Sequence, residues 1–309
     1  RESHMSLVSL LKGKGKSGFG YGSTAEEVTF GLDLTGKNIL ITGCNSGLGL
    51  ETARVLALRG ARILGTARSL EKAEGALIDF GSIHKAYECE LAEPRSVKAC
   101  VTAIKKDRIK LDAIICNAGI MALPTLQKSH GYELQFFTNH IGHFILVTGL
   151  LDTMHDDGRI VMLSSAAHNM APKVGIEFDN LSGDVGYKPW KAYGQSKLAN
   201  LLFAKELSRR LAGSGKTANA VHPGVIRTNL GRHMPAIARV VFAGVGPLFL
   251  KSVEQGAATQ CYVAVHPELA KNSGAYFADV NIASPRIDAE DTELSRRLWQ
   301  VSEEIVARF

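Results

Sequence analysis

A tyrosine and a lysine four residues apart, Tyr193 and Lys197 in the segment YGQSK, could carry out acid–base chemistry. On a helix this spacing places both side chains on the same face. Because a free tyrosine has a pKa of about 10, working as a base near neutral pH requires its phenolate to be stabilised by up to about 4 kcal/mol. A nearby ammonium group in a site of reduced dielectric is a suitable cause. The alternative is an ordinary pair on a helix surface.

A glycine-rich segment could hold the phosphates of a dinucleotide. The apolar run ILIT leads directly into GCNSGLG at 43–49, where a helical pattern begins. Glycines let the backbone turn sharply and approach a pyrophosphate, whose charge then faces a helix N-terminus. The spacing GxxxGxG is a variant of the GxGxxG dinucleotide pattern. A tight strand-to-helix turn without a ligand is the alternative.

The end of the next strand bears on the choice of cofactor. Thr66-Ala67-Arg68 lacks the acidic residue that usually binds the ribose 2′-hydroxyl of NAD, and Arg68 offers a guanidinium to the 2′-phosphate of NADP. A solvated arginine in a loop is the alternative. The sequence therefore favours NADP(H) over NAD.

Further polar residues follow predicted strands or interrupt apolar segments. Ser164-Ser165 ends one strand and Asn117-Ala118-Gly119 ends another. Asn139 stands in the apolar segment FFTNHIGHFILVTGLL, where a buried amide needs hydrogen-bond partners. His140, His143 and His168 flank these motifs without metal-ligand spacing, so we interpret them as packing or hydrogen-bonding residues and predict no metal site.

The elements that must position these groups alternate along the chain. Short apolar runs rich in Ile, Leu and Val alternate with amphipathic segments, which is typical of a parallel sheet covered on both faces. We predict a single-domain α/β fold, a Rossmann-type doubly wound and mainly seven-stranded parallel sheet. The predicted strands are Asn38–Thr42, Arg62–Thr66, Lys85–Glu88, Asp112–Cys116, Arg159–Leu163, Thr217–Val221 and Ala275–Phe277. The predicted helices are 47–59, 69–79, 94–107, 131–151, 190–213 and 253–265.

The chain divides into an arm and one domain. Residues 1–34 are predicted to form a flexible arm rich in Gly, Lys and Ser, of which 1–4 precede Met5 and resemble a cloning remnant. Residues 35–309 form the dinucleotide-binding catalytic domain. Long connections at 168–189 and 230–252 follow strand ends, where ligands bind in such sheets, so we predict that they contact substrate. The apolar 230–252 segment could instead be a packed helix or touch a membrane surface.

Composition excludes several classes of protein. The net charge is +6, but +3 of it lies within the first twenty residues, so no nucleic-acid surface is predicted. Five scattered cysteines without CxxC spacing favour reduced thiols and a cytoplasmic protein. No apolar stretch reaches eighteen residues, so we expect no transmembrane segment.

Taken together, the motifs resemble the short-chain dehydrogenase/reductase family over about residues 35–300. Several separate motifs agree in type and order, which is more specific than any one of them. These are Thr42–Gly49, Glu90-Leu91, Asn117–Gly119, Asn139, Ser165, Tyr193–Lys197 and Pro223-Gly224. Glu90 stands where the family more often has Asp.

The resemblance implies a role for each matching position. Tyr193 would exchange a proton with the substrate oxygen, and Ser165 would hydrogen-bond that oxygen. Lys197 would lower the tyrosine pKa and hold the nicotinamide ribose. Asn139 would position a water that relays protons between Lys197 and solvent. Choosing Ser165 rather than Ser164 rests on the family pattern. The resemblance assigns cofactor contacts to Gly43, Asn45, Ser46, Gly47, Leu48, Gly49, Arg68, Glu90, Leu91, Asn117, Ala118, Gly119, Tyr193, Lys197, Pro223, Gly224, Ile226 and Thr228.

Within the family the chain resembles the retinol dehydrogenase-like branch. The segments NHIGHF, SSAAH and SKLANLLFAKELSRRL carry this likeness, and Ser165 precedes Tyr193 by 28 residues rather than by about a dozen. The added loop and the apolar 230–252 segment indicate a bulky, hydrophobic alcohol, ketone or aldehyde as substrate. The family often forms homodimers through the helices equivalent to 131–151 and 190–213, which the sequence leaves open.

A second function remains as an alternative. The segment SGFGYGSTAEEV resembles the start of plant short-chain dehydrogenases associated with chloroplast protein import. The chain could therefore be a cofactor-sensing or scaffold protein that acts through its N-terminal arm. The complete set of catalytic residues favours the enzyme.

Overall fold

A computed structural model describes residues 12–226 and 250–309 of the chain. Its centre is an eight-stranded sheet with the order β10-β9-β8-β7-β4-β1-β2-β3, in which only the β10–β9 pair is antiparallel. The strands are β1 Asn38–Thr42, β2 Arg62–Ala67, β3 Lys85–Glu88, β4 Leu111–Cys116, β7 Met154–Leu163, β8 Thr217–His222, β9 Tyr276–Ala278 and β10 Asn281–Ile282. A separate hairpin pairs β5 Lys128–Ser129 with β6 Tyr132–Glu133. The doubly wound α/β fold is confirmed, with one antiparallel edge strand added.

Helices cover both faces of the sheet. They are α1 Ala25–Val28, α2 Gly47–Leu58, α3 Leu70–Leu77, α4 Pro94–Lys106, α5 running through Leu134–Phe136, Phe137–Ile141 and Gly142–Leu150, α6 Pro189–Arg210, α7 Val253–Val265 and α8 Thr292–Val306. One apolar core lies between the sheet and α4, α5, α6 and α8, and the other between the sheet and α1, α2, α3 and α7. None of the helices in 12–226 and 250–309 is both apolar enough and long enough for a membrane span.

Local sequence explains several helix boundaries. Pro94 and Pro189 occupy the first turns of α4 and α6, where a missing backbone N–H costs no helical hydrogen bond. Ser252 and Gln255 form a reciprocal cap at the start of α7. Asp291 caps α8 by accepting hydrogen bonds from the backbone N–H of the second and third residues after it, at 2.8 and 3.0 Å.

The predicted helix at 131–151 is wrong at its start and irregular within. The chain first turns back as the β5–β6 hairpin, and Glu133 then caps α5 by accepting from Phe136 N at 2.8 Å. Over Phe137–Ile141 the helix widens into a π-helical turn. Such turns are rare and often occur at functional sites.

The N-terminal segment departs most from prediction. Residues 12–28 pack on the domain instead of forming a flexible arm: Phe19 contacts the ring of Tyr262 at 5.7 Å, and Asn281 accepts a hydrogen bond from Ser17 N at 3.0 Å. Helix α1 packs against α2 and α7 through buried Ala25 and Val28. Tyr21 is buried and Phe19 partly buried, so the aromatic residues among these glycines remove apolar surface from water. Residues 1–11 lie outside the described part.

Candidate active site

The four predicted catalytic residues come together at the carboxyl edge of β4 and β7. Tyr193 and Lys197 lie in the first turns of α6, with the lysine Nζ 5.6 Å from the centre of the tyrosine ring. Lys197 Nζ donates a hydrogen bond to the carbonyl oxygen of Leu163, at the end of β7, at 3.0 Å. All three residues are buried. The i, i+4 spacing on a helix therefore does produce a face that carries both groups.

Asn139 is fixed by hydrogen bonds on both sides of its amide. Its Oδ1 accepts from Ile120 N at 2.8 Å, and its Nδ2 donates to Ile120 O and to Ser196 Oγ, each at 2.9 Å. Ser196 Oγ in turn donates to Tyr193 O at 2.8 Å. The side chain thus connects the loop after β4 to the start of α6. A Cβ atom at Gly119 would stand 3.0 Å from Asn139 Oδ1 and 3.4 Å from Lys197 Nζ, so this glycine lets the loop lie against both groups.

The two serines after β7 do different things. Ser164 Oγ is buried and donates to the carbonyl oxygen of Lys197 at 2.8 Å, which ties β7 to α6. Ser165 is partly exposed, its hydroxyl accepts from Ala167 N at 3.1 Å, and it also forms a hydrogen bond with Tyr193. Only Ser165 therefore presents its hydroxyl beside the tyrosine oxygen.

Burial controls the ionisation of the pair. It raises the pKa of Tyr193 to about 12, an effect that the hydrogen bond with Ser165 opposes. It also lowers the pKa of Lys197 to about 8. The expected lowering of the tyrosine pKa is therefore not a property of this chain by itself. Tyr193 is held as a neutral phenol, which is the form that donates a proton.

The glycine loop has the shape needed to receive a pyrophosphate. Gly43 and Gly47 have φ angles of +67° and +53°, which glycine adopts without strain. A Cβ at Gly49 would meet the carbonyl oxygen of Gly43, and it would stand 2.5 Å from Asn117 Nδ2. Ser46 precedes α2 and makes no side-chain cap, so the first N–H groups of this helix face the loop. These residues fit a bound dinucleotide.

Loops on either side join the glycine loop. Asn117 Nδ2 donates to Thr42 O at 2.9 Å, and Ala118 N donates to Thr42 Oγ1 at 3.0 Å. On the other side Ile226 packs closely against α7. Its side chain and that of Leu48 lie so near Gly256 that a Cβ atom there would clash with both. Gly224 has a φ of +96°, and a Cβ there would stand 2.5 Å from the stem of Lys251. Pro223 precedes it. Thr228 lies outside the described residues.

The predicted adenosine side is less completely assembled. Arg68 and Asn45 are exposed, shortly after the ends of β2 and β1. The carboxylate of Glu90 turns back to accept a hydrogen bond from Ala92 N at 3.1 Å, while Leu91 is buried under Gly142. Lys72, which was not among the predicted site residues, lies with Asn45 along a groove of about 390 Å³ between α2 and α3. Its position four residues after Arg68 was the available signal.

The 168–189 connection folds over the start of α6. Gln195 Oε1 accepts from Glu177 N at 2.8 Å, and Lys191 forms an ion pair with Glu177 at 2.5 Å. Trp190, at the end of this connection, stands edge-on to Tyr193 with ring centres 6.1 Å apart and remains 44% exposed. Most of the other predicted substrate segment, 230–249, lies outside the described residues.

A parallel sheet with a glycine loop after its first strand and a Ser–Tyr–Lys group at its carboxyl edge defines a nicotinamide-type oxidoreductase site. The family model described as short chain dehydrogenase matches residues 37–236. The chain belongs to the short-chain dehydrogenase/reductase family.

Named relatives place it in the retinol dehydrogenase-like branch. The chain is 41% identical over 317 residues to the short-chain dehydrogenase TIC 32 A, chloroplastic, of Brassica napus, covering 98% of this chain and 99% of that protein. It is 42% identical over 286 residues to human retinol dehydrogenase 13, covering 88% and 85% of the two chains.

Solved structures agree on the fold. A putative uncharacterized protein from Mycobacterium paratuberculosis is 30% identical, with a TM-score of 0.73 and coverage of 91% of this chain and 97% of that one. A blue fluorescent protein from a metagenomic library, solved in complex with NADPH, is 25% identical, with a TM-score of 0.64 and coverage of 80% and 97%.

Proposed function

We propose that this chain is an NADP(H)-dependent oxidoreductase that interconverts a hydrophobic alcohol and its ketone or aldehyde. The observation that carries the proposal is the meeting of Ser165, Tyr193, Lys197 and Asn139 beside a glycine loop shaped for a dinucleotide. The separate engagement of Ser164 with the Lys197 carbonyl supports Ser165 as the substrate-facing hydroxyl.

In the direction of reduction, Tyr193 acts as the general acid. A bound nicotinamide cofactor, with its pyrophosphate on the glycine loop, would supply the hydride to the carbonyl carbon. The phenol then gives its proton to the carbonyl oxygen, which becomes the alcohol hydroxyl, while Ser165 donates a hydrogen bond to that oxygen as charge develops on it. The tyrosine oxygen that remains is negative and lies on the face shared with the ammonium of Lys197. Attraction between these opposite charges stabilises the phenolate until it is reprotonated.

Asn139 would complete a path for reprotonation. Its amide is already engaged with Ile120 and Ser196, so its side chain holds the surrounding backbone in place. A water bound beside Asn139 and Lys197 would return a proton from solvent to the lysine side of the site. This role was implied by the family resemblance and stays part of the proposal.

The cofactor would lie across the residues that the family resemblance assigns to it. Gly43, Asn45, Ser46, Gly47, Leu48 and Gly49 would hold the pyrophosphate, Glu90 and Leu91 the adenine side, Asn117, Ala118 and Gly119 the ribose side, and Pro223, Gly224, Ile226 and Thr228 the nicotinamide amide. Exposed Arg68, followed four residues later in the sequence by Lys72 on α3, supports a preference for the 2′-phosphate of NADP. The NADPH bound in the related blue fluorescent protein supports the same choice.

The substrate is proposed to be apolar and bulky. The indole of Trp190 stands exposed next to Tyr193, and Met170, 55% exposed, lies on the turn just after Ser165. Apolar side chains near convergent polar groups are typical of small-molecule sites. The relation to proteins named retinol dehydrogenases supports a hydrophobic alcohol or aldehyde.

The scaffold alternative is less well supported. An arm that recruits partners must offer its apolar side chains to them, yet Phe19, Ala25 and Val28 of this segment pack on the domain. The compartment and a homodimer stay predictions; similarity to a protein named chloroplastic makes a plastid a competitor to the cytoplasm.

One experiment tests the proposed function. Purified protein is incubated with a panel of aromatic and long-chain aldehydes, ketones and alcohols, with NADPH or NADH and with their oxidised forms for the alcohols. We expect turnover with an apolar member of the panel and a higher kcat/KM with the NADP cofactor. Absence of turnover across the panel, although NADPH binds, would support the cofactor-sensing alternative.

A further inference from the structure

A buried histidine links the glycine loop to the catalytic asparagine. His143 Nε2 lies 2.9 Å from Thr42 Oγ1, and His143 Nδ1 lies 2.9 Å from the carbonyl oxygen of Asn139. Thr42 ends β1 immediately before the glycine loop, and all three residues are fully buried. One imidazole thus spans the two halves of the site.

The partners dictate which nitrogen carries the proton. The carbonyl oxygen of Asn139 can only accept, so Nδ1 must be protonated and donate to it. Thr42 Oγ1 already accepts from Ala118 N at 3.0 Å, so its own hydrogen is free to go to the bare Nε2. The chain of donors therefore runs from Ala118 through Thr42 and His143 to Asn139 in a single direction.

The imidazole stays neutral under working conditions. Burial lowers the pKa of His143 to about 4; its hydrogen bond to the Asn139 backbone opposes this, and the charge of Lys197 adds to it. A neutral ring can be a donor on one nitrogen and an acceptor on the other, which a protonated ring cannot.

The backbone conformation around Asn139 explains how the hydrogen bond from His143 could affect the catalytic residues. Asn139 lies within the π-helical turn Phe137–Ile141, where carbonyl groups are displaced from their ordinary α-helical partners. The His143 imidazole occupies one acceptor direction of the Asn139 carbonyl, and the amide of the same residue reaches Ser196 and hence Tyr193. Rotation of this peptide would move the asparagine relative to Lys197 and Tyr193.

We propose that His143 is a positioning residue that sets the Asn139 backbone relative to Tyr193 and Lys197 and couples it to the cofactor loop through Thr42. The expected effect on kcat rests on the proposed function. The tautomer of the His143 ring and its effect on NADPH binding can be measured without turnover.

Two substitutions separate the two contacts. In His143→Asn the amide nitrogen falls near the position of Nδ1 and keeps the donor to Asn139, while the contact with Thr42 is lost. In His143→Gln the amide oxygen falls near the position of Nε2 and keeps the acceptor for Thr42, while the donor to Asn139 is lost. Both replacements are polar and smaller than or similar to the imidazole in volume.

A neighbouring histidine provides the matched control. His140 is equally buried in the same helical segment, but its Nε2 contacts Ser302 Oγ at 2.8 Å, on α8 and away from the site. His140→Gln therefore reports what loss of a buried imidazole does to the protein in general. Thermal unfolding of all three variants shows how much each loses in stability.

The experiment has three readouts. We expect ¹⁵N NMR of the wild-type histidines to show His143 protonated at Nδ1. We expect His143→Gln to lower kcat by on the order of 10- to 100-fold with a dissociation constant for NADPH within about threefold of wild type. We expect His143→Asn to weaken NADPH binding by about 10-fold and to retain most of its kcat, since one hydrogen bond is worth on the order of that factor.

Specific results would overturn the proposal. Protonation at Nε2 would contradict the assigned direction of the donor chain. Equal effects of His143→Gln, His143→Asn and His140→Gln on kcat and on NADPH binding would show that His143 is merely a core residue. If no carbonyl is turned over by the wild-type protein, the proposed function fails, and the tautomer and the NADPH affinities still decide the role of His143.

Discussion

Acid should destabilise the fold through its buried histidines, and His140 allows the effect to be measured one residue at a time. Burial lowers the pKa of His140 from 6.5 to about 3, with a smaller contribution from the charge of His143. The ring is surrounded by Phe136, Phe144 and Phe203. In the unfolded chain the same imidazole takes up a proton as the pH falls through 6.5.

The hydrogen-bond pattern explains why the native state resists this proton. Ser302 Oγ donates to Leu298 O at 2.7 Å, so it accepts from His140 Nε2, which must therefore carry the hydrogen. His140 Nδ1 has no hydrogen-bond partner among the described residues. A second proton there would be a buried charge without an acceptor, which is strongly unfavourable.

The size of the effect follows from linkage. Between the unfolded pKa of 6.5 and the folded value of about 3, the unfolded chain binds a proton that the native chain does not. Stability therefore falls as the pH is lowered through 6.5 and stops falling, for this group, near pH 3. Between about pH 7.5 and about pH 5, His140 alone should remove about 2 kcal/mol of unfolding free energy.

Urea unfolding at these two pH values, for wild type and His140→Gln, isolates this contribution. The variant no longer titrates here, so its unfolding free energy should fall by about 2 kcal/mol less than that of wild type. Exposed His155 gives a control, since His155→Gln should reproduce the wild-type loss to within about 0.5 kcal/mol. An unfolding free energy that falls equally in His140→Gln and wild type would refute the reasoning.

Three further outcomes follow from the site. Arg68→Gln should raise the KM for NADPH by about 10- to 100-fold with little change for NADH, since a charge-assisted hydrogen bond is worth about 1.5–3 kcal/mol; equal changes for both cofactors in steady-state assays would count against it. Gly49→Ala should abolish NADPH binding in calorimetry because its Cβ meets the Gly43 carbonyl; retained affinity would contradict the assignment of the glycine loop as the pyrophosphate site. Ser165→Ala should lower kcat by about 100-fold or more, whereas Ser164→Ala should mainly lower the melting temperature; the reverse pattern would exchange their roles.

Much of the fold could be predicted because its strands are short, apolar and bounded by glycines or polar residues. Six predicted strands match the structure to within one residue at each end. The seventh, β7, differs because it continues back through 155–158, whose polar residues carry no apolar pattern. The hairpin before α5 was missed because Glu133 caps a helix from within a strand pair.

The candidate site also has features that the sequence predicts and features that it does not. Spacing, together with the family pattern that chose Ser165 over Ser164, selected the residues that lie around Tyr193, because they end strands or share a helix face. The ionisation of Tyr193 and Lys197 could not be predicted from the sequence, because it is burial in the fold that raises the pKa of Tyr193. The bridge formed by His143 was also inaccessible, because it depends on a π-helical turn and a contact between residues 42 and 143.

The central claim is that Tyr193 transfers the substrate proton. The most direct measurement compares kcat of wild type, Tyr193→Phe and Tyr132→Phe for reduction of the best carbonyl of the panel with NADPH. Tyr132 supplies a matched loss of one hydroxyl away from the site. Loss of the general acid should lower kcat by about 10²- to 10⁴-fold in Tyr193→Phe alone, with NADPH still bound. A Tyr193→Phe variant that turns over like wild type would contradict the account.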